Sequence, residues 1–129
     1  MNIKVVQKKN GSFIDQITSS LNNNAIINVN DQITNPTYTF DLVKLISKLV
    51  NKFDNEIIHC VSKNNTSWFN FAKHIQKKLN LNGTIIKANQ KNLKNKINKN
   101  LSLTSVKLSK KKYQMPNWQD QFENYLKNL

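Results

Sequence analysis

Residues 31–42 read Asp31-Gln32-Ile33-Thr34-Asn35-Pro36-Thr37-Tyr38-Thr39-Phe40-Asp41-Leu42, a polar turn set between two apolar segments. Upstream, Ala25–Val29 is a short apolar, β-branched run that reads as a strand. Downstream, Phe40, Leu42, Val43, Leu45, Ile46, Leu49, Val50 and Phe53 recur at helical spacing over a stripe so wide that the helix must be buried on more than one side. Pro36 fixes its own φ and drives Asn35 out of the helical region, which makes Asn35-Pro36 the turn. Thr39 is expected to cap the helix with its hydroxyl, with Asp41 in the positive first turn. The stretch is a strand–turn–helix joint, and the rest of the chain is read outward from it.

Chain length of 129 residues suits one domain with a modest core. The single Cys60 rules out an internal disulfide and any multi-cysteine metal site, as expected for a reducing compartment. No apolar run nears the roughly 20 residues needed to span a bilayer, and residues 1–9 hold no signal-peptide core. The cytoplasm is the expected location, with no membrane partner. The net charge of +13 is concentrated: residues 57–119 carry thirteen lysines and no Asp or Glu. Such a field attracts phosphate-bearing partners. Yet all twenty basic residues are lysine, and a nucleic-acid reader without arginine lacks the bidentate fork for phosphates and guanine edges. Aromatic residues near Lys87–Lys112 are limited to Tyr113 and Trp118, so no stacking series accompanies the charge. Lys, Asn and Ile dominate the chain and share A/T-rich codons, so much of the charge is read as coding bias on solvated faces, and nucleic-acid binding is set aside as the weakest reading.

In chain order, Met1–Val6 reads as a short strand. Ser12 caps a helix with Phe13, Ile14, Ile17 and Leu21 on one face, ended by Asn22-Asn23-Asn24. Glu56–Ser62 is apolar on both faces and too short for a helix, the pattern of a strand inside a parallel sheet. Ser67 caps a second amphipathic helix with Trp68, Phe69, Phe71, Ala72, Ile75 and Leu79; Leu81-Asn82-Gly83 stops it, and Thr84–Ala88 is a strand. After a Lys- and Asn-rich loop over 89–100, Thr104 is expected to cap a short helical turn through Leu108. Asn117 caps the last helix, which buries Trp118, Phe122, Tyr125, Leu126 and Leu129. His59, His74 and Cys60 have no cluster of acids or cysteines around them in sequence, so no metal or nucleophilic centre is assigned.

Asp31-Gln32-x-x-x-Pro36-Thr37-x-x-x-Asp41-Leu42 resembles the loop entering the substrate-binding part of dTDP-4-dehydrorhamnose reductases, in the extended short-chain dehydrogenase/reductase group; Thr34 stands where those enzymes usually carry glycine. Five further segments follow the same family in order. Asn10-Gly11-Ser12-Phe13 is similar to its Asn-Phe helix start, Ile57–Val61 to its late sheet strand, and Thr66–Ala72 to its Thr-Ser-Trp-aromatic-x-Phe-Ala helix. Asn100–Leu108 resembles its Asn-Ser-x-Leu-Asp-x-x-Lys-Leu segment, and Met115–Trp118 its Leu-Pro-x-Trp helix start. The implied fold is α/β: residues 1–129 as the C-terminal substrate-domain portion of an extended short-chain dehydrogenase fold, lacking the Gly-rich Rossmann half.

The departures bear on function. Neither glycine belongs to a Gly-rich turn that would cradle a cofactor pyrophosphate. Four residues beyond Tyr38, Tyr113 and Tyr125 stand Leu42, Asn117 and Leu129, so the catalytic Tyr-x-x-x-Lys is missing. The family's Arg-Pro is replaced by Ile97-Asn98, with Lys96 beside them to neutralise a diphosphate. In complete members the resemblance implies reduction by NAD(P)H of the 4-keto group of a dTDP-sugar, on the way to dTDP-rhamnose. This chain would supply only a substrate wall: Gln32, Asn35, Pro36, Thr37, Trp68 and Lys96. Trp68 can serve as a core anchor or as a stacking platform. No cofactor is expected on this chain alone and no catalytic residue is assigned. A separate cofactor-binding chain or self-association is expected to cover the Ile57–Val61 strand. The alternative is a non-catalytic regulatory or interaction subunit of the same fold.

Overall fold

The computed structural model describes residues 11–52, 55–89 and 98–129. The expected strand over Met1–Val6, the helical position Phe53 and the candidate Lys96 lie outside the described residues. The chain forms two compact units, each assembled from two stretches of sequence: residues 1–32 with 67–97, and residues 33–66 with 98–129.

The first unit holds helix α1 (Phe13–Asn22), strand β1 (Ile26–Val29), helix α3 (Trp68–Leu79) and strand β4 (Thr84–Lys87). Ser12 begins α1 with a full capping box: its hydroxyl accepts from Asp15 N–H, and the Asp15 carboxylate accepts from Ser12 N–H at 2.8 Å. Ser67 begins α3 in the same way, its hydroxyl accepting from Asn70 N–H at 3.2 Å. Asn80, at φ 51°, ends α3 in the left-handed conformation that asparagine tolerates. β1 and β4 pair in parallel with Ile26 opposite Thr84 and Val29 opposite Lys87. One face of this ribbon packs on the helices: Ile17, Leu21, Val29, Phe71, Ala72, Ile75 and Ile85 are all buried.

Gly83 is required by that packing. A Cβ there would stand 2.6 Å from Leu21 Cδ2 and 2.8 Å from both Leu21 Cα and Ala25 O, and its N–H donates to Leu21 O at 3.1 Å. The end of α1 and the start of β4 therefore approach at backbone distance, which only a residue without a side chain allows.

The second unit holds β2 (Ile33–Thr34), α2 (Thr39–Leu49), α4 (Val106–Lys110) and α5 (Trp118–Lys127). β3 (Thr66–Ser67), which pairs with β2, lies where the chain passes between units. Leu45, Leu49, Leu108 and Met115 form its core, with Leu42, Ile58, Cys60 and Tyr113 packed against them.

Five local expectations are corrected here: Leu129, after α5, is exposed, and α2 is not buried on more than one side, since Val43, Ile46 and Val50 are exposed among the described residues. Thr39 is not the cap of α2: that position is Tyr38, without a side-chain cap, and Tyr38 N–H is taken at 2.8 Å by Oε1 of the buried Gln121. Ser105 rather than Thr104 precedes α4, again without a side-chain cap. Glu56–Ser62 is not a strand of any sheet among the described residues. Side chains and loops take its end: Val61 N–H donates to Ser105 Oγ, Ser62 N–H to Thr37 Oγ1, and Ser62 O accepts from Asn35. Asn117 caps α5 as expected, accepting from Asp120 N–H at 2.9 Å.

Candidate functional site

In the first unit, the ladder determines which way β1 presents its backbone. Thr84 N–H donates to Ala25 O and Ala88 N–H to Val29 O, so the alternate residues Ala25, Ile27 and Val29 face β4. In a parallel ladder the intervening residues point the other way, which sends the N–H and C=O of Asn28 toward the edge of β1 that pairs with no strand among the described residues. A cavity of about 340 Å³ opens along that edge, between β1 and one face of α1. Phe13, Gln16, Ile17 and Ser20 line it from the helix, Ile27–Asn30 from the strand and Trp68 from the start of α3. Its polar lining residues, Gln16, Ser20, Asn28 and Asn30, carry no formal charge.

Trp68 is a packed anchor that also borders the cavity. Its ring packs at 4.6 Å on Phe13 and at 6.3 Å on Phe71, while part of it lines the cavity. Trp68 N–H donates to Gln32 O at 3.1 Å, and Gln32 N–H donates to Asn30 Oδ1, so the expected residues Gln32 and Trp68 are brought together at one end of β1.

Asp31 belongs to the resembling loop, but neither it nor Lys87 was assigned a role from the sequence. Lys87 Nζ bonds Asp31 Oδ2 at 2.8 Å and lies 5.2 Å over the Phe69 ring. The Lys87 ammonium, and secondarily the Ser67 hydroxyl, hold the Asp31 carboxyl below its ordinary value, against a smaller opposing effect of burial. A lysine after the last β-branched residue of a strand was the available signal, but the pairing depends on strand register.

Asn35, Pro36 and Thr37 belong to the second unit. Asn35 Nδ2 donates to Ser62 O at 3.1 Å and to Asn64 O at 3.2 Å, and its Oδ1 accepts from Leu103 N–H at 2.8 Å. Thr37 Oγ1 donates to Asn35 O and accepts from Ser62 N–H. These polar atoms hold the loop in place. Asn64 continues the pattern, accepting from Trp118 N–H and donating to Gln119 Oε1. Asp41 is buried at the start of α2, and its Oδ2 makes no hydrogen bond to any described residue. Burial pushes the Cys60 thiol up, away from the reactive thiolate. No group of three or more His, Cys, Asp or Glu side chains is placed to hold a metal among the described residues. No described helix is long and apolar enough to cross a membrane.

The family model described as RmlD substrate binding domain matches residues 4–129. Among solved structures, the fold is similar to dTDP-4-dehydrorhamnose reductase from Bacillus anthracis, in complex with NADP: TM-score 0.84 and 24% identity, over 95% of this chain and 45% of that one. It is also similar to the dTDP-4-dehydrorhamnose reductase from Clostridium acetobutylicum (TM-score 0.82, 20% identity, 92% of this chain and 44% of that one). A third match is the reductase from Yersinia enterocolitica (0.73, 20%, 88% and 42%). The chain thus spans less than half the length of these solved relatives. No curated protein sequence matches significantly.

Proposed function

The chain belongs to the family of RmlD substrate binding domains, and from that membership we propose that it is the sugar-nucleotide-holding part of a dTDP-4-dehydrorhamnose reductase-like protein. The observation that carries the ligand class is the cavity along β1. Asn28 offers one backbone donor and one backbone acceptor at the strand edge, the pair that meets the imide edge of a thymine ring. Phe13 and Trp68 supply the apolar surface for its plane. The volume falls within the range of about 300–1,000 Å³ usual for small-molecule sites. Gln32 and Trp68 form the substrate wall of this unit, Asn35, Pro36 and Thr37 keep the following loop in its shape, and Lys96 neutralises diphosphate charge.

Hydride transfer from NAD(P)H to a 4-keto sugar, in dTDP-rhamnose formation, needs groups that residues 1–129 lack. There is no Gly-rich pyrophosphate turn and no Tyr-x-x-x-Lys pair. The chain alone is therefore a binding module without reductase activity. The test is calorimetric titration of the full chain with dTDP and with UDP, followed by an NADPH oxidation assay with a dTDP-4-keto sugar. Saturable dTDP binding without turnover is expected. Absence of binding would remove the sugar-nucleotide reading and favour a non-catalytic interaction subunit.

A further inference from the structure

Both glycines of the chain follow an asparagine, and the second such pair, Asn82-Gly83, lies in the turn between α3 and β4. Asparagine is a thermolabile residue, and glycine after it brings no Cβ to block the approach of its nitrogen to the side-chain amide. The chemistry has two steps. Gly83 N attacks Asn82 Cγ; the new N–Cγ bond closes a five-membered imide, the Cγ–NH2 bond breaks, and ammonia leaves with the proton from Gly83 N. Water then opens the imide at either carbonyl. The product is aspartate or, with the main chain rerouted through Cβ, isoaspartate. Nothing is oxidised or reduced, and water is the co-reactant.

The fold withholds the first step. Asn82 is exposed and its side chain makes no hydrogen bond to any other described residue, so the electrophile is free. The nucleophile is not, because the N–H of the buried Gly83 donates to Leu21 O at 3.1 Å. Gln76 staples the dipeptide from both sides, its Nε2 donating to Leu81 O at 3.3 Å and to Gly83 O at 2.6 Å. Leu81 N–H is held by Gln76 O and Thr84 N–H by Ala25 O, each at 3.0 Å. Ring closure needs Gly83 N stripped of its proton and turned toward Asn82 Cγ. Neither is available while Leu21 O and the Gln76 amide hold the turn.

We propose that Asn82-Gly83 is a spontaneous modification site that the contact between α1 and β4 keeps closed, with Gln76 as its guard, and that isoaspartate at position 82 prevents the contact from forming again. The second part follows from the geometry. Isoaspartate adds one carbon to the main chain between residues fixed on both flanks. A Cβ on Gly83 would stand 2.8 Å from both Leu21 Cα and Ala25 O, so the longer chain finds no room on that side. The added length breaks either the Gln76 staple or the Gly83–Leu21 bond. A chain that opens long enough to react is marked, and the mark stays. The inference does not depend on which ligand the β1 cavity takes.

The test ages the full chain in warm, mildly alkaline buffer. Peptide mass mapping, with chromatographic separation of the aspartyl and isoaspartyl forms, gives the rate at residue 82, and amide hydrogen exchange gives the opening of Gly83 N–H. The peptide Leu79–Ile85 and the chain in urea supply the unguarded rate. The folded chain should react about tenfold or more slowly than either, since the reactive state is reached only through local opening. Gln76→Ala should raise the rate several-fold, with Gly83 exchange rising in proportion. Should that variant fail to fold, sub-denaturing urea on the unaltered chain makes the same comparison, because both processes need the same N–H released. The purified isoaspartyl chain should unfold at a lower urea midpoint than the unaged chain. Asn82→Asp, with the same charge and an unaltered main chain, should stay close to the unaged value. Reaction of the folded chain at the peptide's rate, a rate that does not follow Gly83 exchange, or an isoaspartyl chain with an unaltered midpoint would each overturn the proposal.

Discussion

Lys87 Nζ stands 2.8 Å from Asp31 Oδ2, joining residues 56 positions apart just where the two parallel strands end. The Asp31 carboxyl is held below its unfolded value of about 3.9, so the pair contributes stability above that pH. The contribution is lost as pH falls through the lower, folded value. Both side chains are partly exposed, which limits the pair to below about 1 kcal/mol. Lys87→Met should lower the urea midpoint slightly at neutral pH and leave it unchanged once Asp31 is protonated. A difference that persists unchanged in acid would assign the effect to packing of Lys87 on Phe69.

Gly83→Ala should be among the more damaging single-methyl additions in the first unit. Two of its three close contacts are backbone atoms of Leu21 and Ala25, which cannot swing aside. Overpacking of this kind costs about 1–3 kcal/mol. The exposed neighbour substitution Asn82→Ala is the control. Equal denaturation midpoints for the two variants would mean that the turn relaxes freely.

Removing the Asn35 amide should unfasten the loop at three points. Asn35→Ala removes the donor to Ser62 O, at about 1–3 kcal/mol for a buried group left without a partner, while Asn64 O keeps the Ser62 hydroxyl and the exposed Leu103 N–H turns to water. Asn35→Asp should be worse at neutral pH, since a carboxylate would face two carbonyl oxygens. Thermal unfolding of both variants measures this. The Asp variant should recover part of the loss in acid, when its carboxyl regains a proton to donate.

Filling the β1 cavity should separate binding from folding. Ser20→Leu adds bulk where the helix lines the cavity. It should lower dTDP affinity at least tenfold while changing the unfolding midpoint little, as for a half-exposed position. An unchanged titration would place the nucleotide elsewhere.

Legibility in the sequence followed how local each signal was. Ser12, Ser67 and Asn117 could be read as caps because each bonds an N–H three residues on. β1 and β4 were visible as β-branched runs with a stop on either side. Thr39 misled because the capping preference competes with a distant acceptor: Gln121, 83 positions away, takes the Tyr38 N–H. Glu56–Ser62 carries a strand's composition, but composition says nothing of where the ladder partner is, and none lies among the described residues. The site was legible only in part. Gln32 and Trp68, both named from the sequence, are joined by one backbone hydrogen bond, whereas Asp31–Lys87 and the cavity along Asn28 depend on parallel register, which no single segment encodes. The asparagines divide: Asn35 and Asn64 fasten the second unit, while Asn22 and Asn23 are simply exposed.

The interleaved order of the two units also has a consequence for how the chain is made. Residues 1–97 contain everything the first unit needs, but the second begins at 33 and is completed only by 98–129. On a ribosome adding about 5–20 residues per second, α2 emerges seconds before Leu108 and Met115 exist to receive it. During that interval its leucines are open to any chaperone or neighbouring nascent chain. Premature termination after residue 97 would thus leave the first unit complete and α2 permanently uncovered.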